Sequence, residues 1–107
     1  MVSDMSSERW HATHEYLEAR FADEPPEFAR LREDAASAGF PSISVGPGGG
    51  RFLALNAGLL RDGRGAERIV EVGMLGGYSA LWLSRGLAPE GRLVTIEPEP
   101  ERVSFAR

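Results

Sequence analysis

A glycine-rich turn and a glutamate downstream of it are the residues whose types and spacing could do chemistry in this chain. The turn is Gly-Met-Leu-Gly-Gly at residues 73–77, and it follows a β-branched run at residues 68–72. Glycine in such a turn lets a ligand approach the backbone closely. Glu97 follows the next apolar run, where a carboxylate can accept hydrogen bonds from ribose hydroxyls. This spacing predicts the nucleoside-binding edge of a doubly wound sheet.

Glu71, two residues before Gly73, bears on which nucleoside this edge would bind. Its carboxylate would repel an anionic diphosphate but attract a ligand that carries an α-ammonium group. The turn also lacks the G-x-G-x-x-G spacing of dinucleotide-binding folds. Both features favour S-adenosylmethionine over NAD, so a pyridine-nucleotide oxidoreductase is the weaker alternative. The plain structural alternative is that Glu71 and the glycines only shape the turn.

The elements that must position these residues form one βαβ unit. Residues 68–72 and 92–96 have the β-branched content of buried strands, and residues 78–87 have the apolar density of a helix packed on a sheet. Strand, turn, helix and strand span about 30 residues, as a parallel βαβ unit with a right-handed crossover does. A further helix is expected to start at Pro100. The predicted fold class is α/β.

Three helices are predicted before this unit. The first spans residues 8–22 and is capped by Ser6 or Ser7, and the second spans residues 26–38 and stops at Gly39. A loop at residues 40–50 follows, and the third helix spans residues 51–60. Helical periodicity gives the first helix one apolar stripe of Trp10, Leu17 and Phe21, of which Trp10 and Phe21 could be buried in the core or dock a partner helix. On the next two helices these residues are expected to face inward: Phe28, Leu31, Ala35, Phe52, Leu55, Leu59 and Leu60. We divide the chain into an N-terminal helical segment at residues 1–40 and a partial cofactor-binding domain at residues 41–107.

Composition excludes several classes of protein and partner. The 107 residues, 42% hydrophobic and 26% charged, suit one small globular domain and no more. Residues 1–40 carry a net charge of −5 and residues 41–107 a net charge of +1, without a basic face for nucleic acid. The sequence has no apolar run long enough for a membrane span, and no signal peptide is expected at the N-terminus. Since cysteine is absent, a disulfide framework is excluded and a cytoplasmic location is expected.

Two further motifs could be functional sites or ordinary parts of the structure. His11 and His14 lie near Glu15 and Glu18 on the first predicted helix and could be metal ligands, but a solvated helix face explains them better. The glycine run at residues 48–50 lacks the G-K-[ST] sequence of a phosphate loop. We therefore expect no metal site in this chain, and a flexible turn or linker at the glycine run.

The sequence closely resembles the small class I O-methyltransferases, the relatives of catechol and caffeoyl-CoA O-methyltransferases. The resemblance rests on IVEVGMLGGYSALWLS at residues 69–84, on GRLVTIE at residues 91–97, and on ISVGPGGGRFL at residues 43–53. It covers residues 41–107, and Gly-Gly-Tyr-Ser at residues 76–79 is its most specific part. It implies a Rossmann-like doubly wound sheet and methyl transfer from S-adenosylmethionine to a hydroxyl of a small molecule.

The resemblance also implies a role for six residues of this chain. Glu71 would lie beside the methionine moiety, with Gly73 and Met74 lining the turn beneath it, and Ser79 would hydrogen-bond the methionyl carboxylate. The remaining two contacts are implied for Glu97, which would bind the ribose hydroxyls, and for the backbone of Val45, which would close over the cofactor.

The same resemblance implies that part of the family's machinery is missing from these 107 residues. The divalent-metal ligands and most acceptor-binding residues of the family lie on later strands of its seven-stranded sheet, and only two strands are predicted here. The chain therefore resembles the N-terminal half of a methyltransferase, and we do not expect it to catalyse alone. A non-catalytic cofactor-binding or assembly module is the alternative, and uncovered apolar faces suggest a homodimer.

Overall fold

The computed structural model describes residues 6–107. The expectation that the N-terminus carries no signal peptide depends in part on residues 1–5, which lie outside the described residues. In this described part of the chain, five helices and two strands follow one another. They are α1 (Ser7–Phe21), α2 (Pro26–Ser37), α3 (Pro47–Gly63), β1 (Ala66–Val72), α4 (Tyr78–Ser84), β2 (Leu87–Ile96) and α5 (Pro100–Phe105). Within residues 6–107, no helix is both long enough and apolar enough to span a membrane.

The two strands form the predicted parallel pair, joined by α4. The register sets Ile69 opposite Leu93 and Glu71 opposite Thr95. The sequence analysis began the second strand at residue 92, but β2 begins at Leu87, and the helix expected to reach residue 87 ends at Ser84. The register with β1 shifts between Leu87 and Arg92, and glycine suits position 91 of this irregular stretch because a Cβ atom there would lie 2.6 Å from the carbonyl oxygen of Ala66. The helices and the single βαβ unit form part of a Rossmann-like fold.

The third helix begins four residues earlier than predicted, so the predicted loop at residues 40–50 ends at Gly46. Pro47 suits the first helical position, and the Oε1 atom of Glu18 accepts a hydrogen bond of 3.0 Å from the backbone N–H of Gly48. Glu18 thus satisfies a free N–H at the start of α3. Regular helical geometry ends before residues 60–62, which have non-helical dihedral angles. The glycine run is therefore a first helical turn and not a flexible linker.

A small aromatic core lies between α2 and α4. Phe28, Tyr78 and Trp82 are 6%, 3% and 2% exposed, and the rings of Phe28 and Trp82 meet edge to face with centroids 5.1 Å apart. Leu31 and Ala54 pack against this cluster. The predicted helical segment at residues 1–40 therefore shares its core with the βαβ unit.

Several predicted inward positions are exposed instead. The exposed members of the list are Trp10, Leu17, Phe21, Phe52, Leu55, Leu59 and Leu60. On α3 the buried residues are the small ones, Gly50 and Ala57, because they allow close approach to α4 and to the backbone of Gly86. One face of the sheet is also exposed, and it carries Val70, Val72, Val94 and Ile96.

Candidate functional site

A cleft of about 250 Å³ lies where β1 and β2 end. Its lining includes five of the six residues that the sequence predicted, namely Val45, Gly73, Met74, Ser79 and Glu97. Ile43, Ser44, Leu75, Gly76, Tyr78 and Arg102 complete the wall. The structure therefore brings together the segment before α3, the glycine turn and the end of β2.

The glycine turn at residues 73–77 has a backbone conformation that explains its composition. Gly73 and Gly77 have φ angles of +87° and +88°, which residues with a Cβ atom adopt only under strain. The backbone N–H of Gly73 donates to the carbonyl oxygen of Ile96 at 2.8 Å, so the turn is fastened to the end of β2. Leu75 between them also has a positive φ, +54°. Glycine therefore lets residues 73 and 77 adopt these angles without strain, and Leu75 is the residue of the turn that carries strain.

Glu97 holds this turn from the other strand. Its Oε2 atom accepts hydrogen bonds from the backbone N–H groups of Met74 and Leu75, at 3.1 and 2.8 Å. The side chain is 2% exposed. The N–H of Leu75 is the largest cause that lowers the pKa of Glu97 below its ordinary value, so the group is ionised at neutral pH. Glu97 is thus a buried carboxylate anchored to the turn.

The second oxygen of Glu97 decides whether this carboxylate can take the predicted ribose role. Oε1 accepts from the backbone N–H of Glu99 at 3.1 Å and from the Arg102 guanidinium at 3.4 Å. Because a carboxylate offers about four acceptor positions, both oxygens are fully used. Binding of a ribose diol therefore requires Oε1 to exchange its longest contact, the one with Arg102.

Glu71, the sixth predicted residue, does not line the cleft itself but is hydrogen-bonded to Ser79, which does. The Ser79 hydroxyl donates to Glu71 Oε2 at 2.5 Å, and the Thr95 hydroxyl donates to Glu71 Oε1 at 2.8 Å. All three side chains are half-buried. The sequence analysis missed Thr95, although its position two residues before Glu97 in a predicted strand puts it on the same face.

The sequence analysis also missed a polar cluster that ties α2 to the start of α4. The Tyr78 hydroxyl donates to Glu24 Oε1 at 2.6 Å, and Arg32 makes hydrogen bonds of 2.8 and 2.7 Å to the two oxygens of Glu24. Burial, with the bond to Glu24, raises the pKa of Tyr78 to about 12. The bond from Arg32 is the largest cause that holds the pKa of Glu24 below its ordinary value. The cluster fixes the residue that immediately precedes Ser79.

The histidines of α1 have other partners than a metal. His14 Nε2 lies 3.2 Å from Glu18 Oε1, and His11 Nδ1 lies 2.7 Å from the carbonyl oxygen of Ser7. In the part of the chain that the structure describes, residues 6–107, no group of three or more histidine, aspartate or glutamate side chains is arranged to hold a metal ion.

Comparison with known proteins decides the family. The sequence model of a family described as O-methyltransferase matches residues 18–107. This chain belongs to the O-methyltransferase family. Among curated members, the catechol O-methyltransferase of Mycobacterium tuberculosis is 37% identical over 92 residues, which are 86% of this chain and 40% of that protein.

Solved structures of O-methyltransferases share the fold described above. An O-methyltransferase from Bacillus cereus in complex with S-adenosylhomocysteine superposes with a TM-score of 0.85 at 35% identity, over 94% of this chain and 44% of that one. An O-methyltransferase from Streptomyces achromogenes, involved in tomaymycin synthesis and solved with S-adenosylmethionine, gives 0.83 at 36% identity, over 96% of this chain and 44% of that one. This chain thus spans less than half the length of these O-methyltransferases, as the resemblance implied.

Proposed function

We propose that this chain binds S-adenosylmethionine and supplies the cofactor-binding part of an O-methyltransferase that acts on a hydroxyl of a small molecule. The observation that carries the proposal is the cleft where Glu97, Ser79 and the glycine turn meet. Membership of the family and the ligands named for the Bacillus cereus and Streptomyces achromogenes structures support it.

The polar groups of the cleft suit the two ends of this cofactor. Ser79 and Glu71 offer a hydroxyl donor and a carboxylate beside each other, which suit an α-carboxylate and an α-ammonium group respectively. Glu97 offers a carboxylate for the ribose hydroxyls, after exchange of its contact with Arg102. Val45 and Met74 provide apolar wall between these polar groups. Ser79 and Glu97 line the cleft themselves, whereas Glu71 lies behind Ser79 and would meet the ligand only when the serine hydroxyl turns away from it.

Methyl transfer needs a fixed position of the methyl donor in front of the acceptor hydroxyl. The cofactor supplies a methyl group activated by a sulfonium centre. Binding at both ends by Ser79, Glu71 and Glu97 would restrict its motion, and such positioning lowers the entropic part of the barrier. The acceptor, the divalent metal and methyl transfer itself are expectations from the family resemblance for a full-length enzyme, and we do not expect this chain to catalyse alone.

Calorimetric titration with S-adenosylhomocysteine tests the proposal, with NAD as the competing ligand. We expect saturable heat with S-adenosylhomocysteine and none with NAD, because the turn lacks the G-x-G-x-x-G spacing of diphosphate-binding turns and the Glu71 carboxylate near it would repel a diphosphate. Glu71→Gln should weaken binding about tenfold or more, since it removes a charged hydrogen-bond partner. Glu67→Gln is the matched control: it lies on the same strand, makes the same charge change and has a 63% exposed side chain.

Two outcomes would contradict the proposal. The first is absence of heat with S-adenosylhomocysteine from a sample whose circular dichroism shows it to be folded. The second is an equal loss of affinity in the Glu71→Gln and Glu67→Gln variants. A radiolabelled methyl-transfer assay separates a catalytic chain from the non-catalytic binding module that the sequence left open. A homodimer, a cytoplasmic location, the division at residue 40 and the absence of nucleic-acid or membrane partners stay predictions from the sequence.

A further inference from the structure

We infer that Thr95 is a positioning residue that holds the Glu71 carboxylate in place for an α-ammonium group of the ligand. The inference rests on the proposed function and adds to it a residue that neither the sequence motifs nor the family resemblance indicated. Its basis is the pair of hydroxyl groups that donate to Glu71 from two different elements, Ser79 from α4 and Thr95 from β2.

The two hydroxyls divide the oxygens of Glu71 between them. Ser79 donates to Oε2 at 2.5 Å, and Thr95 donates to Oε1 at 2.8 Å. Each hydroxyl has a single hydrogen to donate. A hydroxyl that donates to Glu71 therefore cannot donate to a ligand at the same time.

Ligand binding would change the role of Ser79 but not that of Thr95. If Ser79 turns its hydrogen to the α-carboxylate of the ligand, Glu71 Oε2 loses its donor and becomes free for the α-ammonium group. Ser79 lines the cleft, whereas Glu71 and Thr95 lie behind it, so the serine is the hydroxyl that meets the ligand and its rotation opens Glu71 Oε2 to the cleft. Thr95 is then the remaining protein hydroxyl on Glu71 and keeps its carboxylate from rotating.

The backbone makes Thr95 a fixed support. Glu71 and Thr95 are opposite one another in the parallel register of β1 and β2, so their side chains leave the sheet on the same face. Next to them, Gly73 N–H bonds to the carbonyl oxygen of Ile96 and Glu97 bonds to the turn. The distance between Thr95 and Glu71 is therefore set by strand pairing and not by a mobile loop.

The test compares two ligands in one variant. Thr95→Val removes the hydroxyl but keeps a β-branched side chain that suits the strand. Calorimetry should give an affinity for S-adenosylhomocysteine about tenfold lower than in the unchanged chain, as expected for loss of one hydrogen bond to a charged group. The desamino analogue of S-adenosylhomocysteine, which keeps the carboxylate but lacks the ammonium group, should lose less than about twofold.

Two control variants complete the design. Thr95→Ser keeps the hydroxyl and should bind both ligands within about twofold of the unchanged chain. Ser79→Ala should weaken both ligands alike, because each carries the carboxylate that Ser79 would bind. Thr95→Ala repeats the measurement if the valine variant does not fold.

The outcomes distinguish this inference from the proposed function. Equal losses for the two ligands in Thr95→Val, or no loss for S-adenosylhomocysteine, would overturn the positioning role while leaving the proposed function standing. Failure of the unchanged, folded chain to bind S-adenosylhomocysteine would instead overturn the proposed function, and the role of Thr95 with it. A loss confined to the ligand with the ammonium group supports both.

Discussion

Replacement of Gly50 by alanine should destabilise this protein, although alanine is the better helix former. A Cβ atom built on Gly50 would lie 2.2 Å from Cδ1, 2.3 Å from Nε1 and 2.5 Å from Cγ of Trp82. Trp82 is 2% exposed and packs edge to face on Phe28, so its ring cannot move aside as a flexible chain end could. The helices α3 and α4 would have to separate.

The expected magnitude follows from two opposing effects. Overpacking of a well-filled core costs about 1–3 kcal/mol. The higher helix propensity of alanine returns at most about 1 kcal/mol. We therefore expect a net loss of about 1 kcal/mol in the free energy of unfolding, which corresponds to a fall in Tm of about 4–8 °C for a domain of this size.

Thermal unfolding followed by circular dichroism measures this loss, and the neighbouring glycine provides the control. A Cβ atom on Gly49 would lie 3.4 Å from Val45 Cβ, an ordinary contact distance. Gly49→Ala should therefore leave stability unchanged or raise it by up to about 1 kcal/mol. If Gly50→Ala were as stable as Gly49→Ala, the close packing of α3 on Trp82 would be refuted.

Two further predictions concern the contacts that join the first two helices to the rest of the chain. Burial, with the bond to Glu24, raises the pKa of Tyr78 to about 12 in the folded state, so its contribution to stability is complete below about pH 10 and is lost as the pH rises to 12. Tyr78→Phe should flatten the urea-denaturation stability profile over that window, and an unchanged profile would contradict the raised pKa of Tyr78. Glu18→Gln should lower the free energy of unfolding by about 0.5–2 kcal/mol in the same assay, because it weakens the hydrogen bond that caps Gly48 N–H. The control Glu15→Gln changes an exposed position of the same helix and should lower it by less than about 0.5 kcal/mol.

The βαβ unit could be predicted because its determinants are local. The β-branched run at residues 68–72, the glycines that follow it and the position of Glu97 each act within a few residues of their own place in the chain. The structure confirms the parallel pairing and gathers five of the predicted residues around one cleft. Short-range patterns were therefore enough to predict the sheet edge where this cleft lies.

The polar partners inside the site could not be predicted, because they are far apart in sequence. Thr95 is 24 residues from Glu71, and Tyr78 is 54 residues from Glu24. Only the strand register brings the first pair together, and only the packing of α2 on α4 brings the second pair together. Nothing in the local sequence around either residue specifies such a partner.

The start of α3 and its buried face were predicted wrongly for a related reason. Three consecutive glycines have low helix propensity, so the sequence favours a loop. In the structure they begin a helix, since Glu18 binds Gly48 N–H and the missing side chain of Gly50 makes room for Trp82. Periodicity showed that Leu55 and Leu59 share a face, but it did not show that α3 would contact α4 through its small residues.

The most direct test of the central claim, that the cleft binds S-adenosylmethionine, is an amide ¹H–¹⁵N spectrum of the chain titrated with S-adenosylhomocysteine. We predict saturable shifts of the amide signals of Gly73, Met74, Ser79 and Glu97, which surround the cleft, and little change at Glu67 on the far part of β1. Saturable shifts confined to other parts of the fold, or an unchanged spectrum of the folded chain, would contradict the claim.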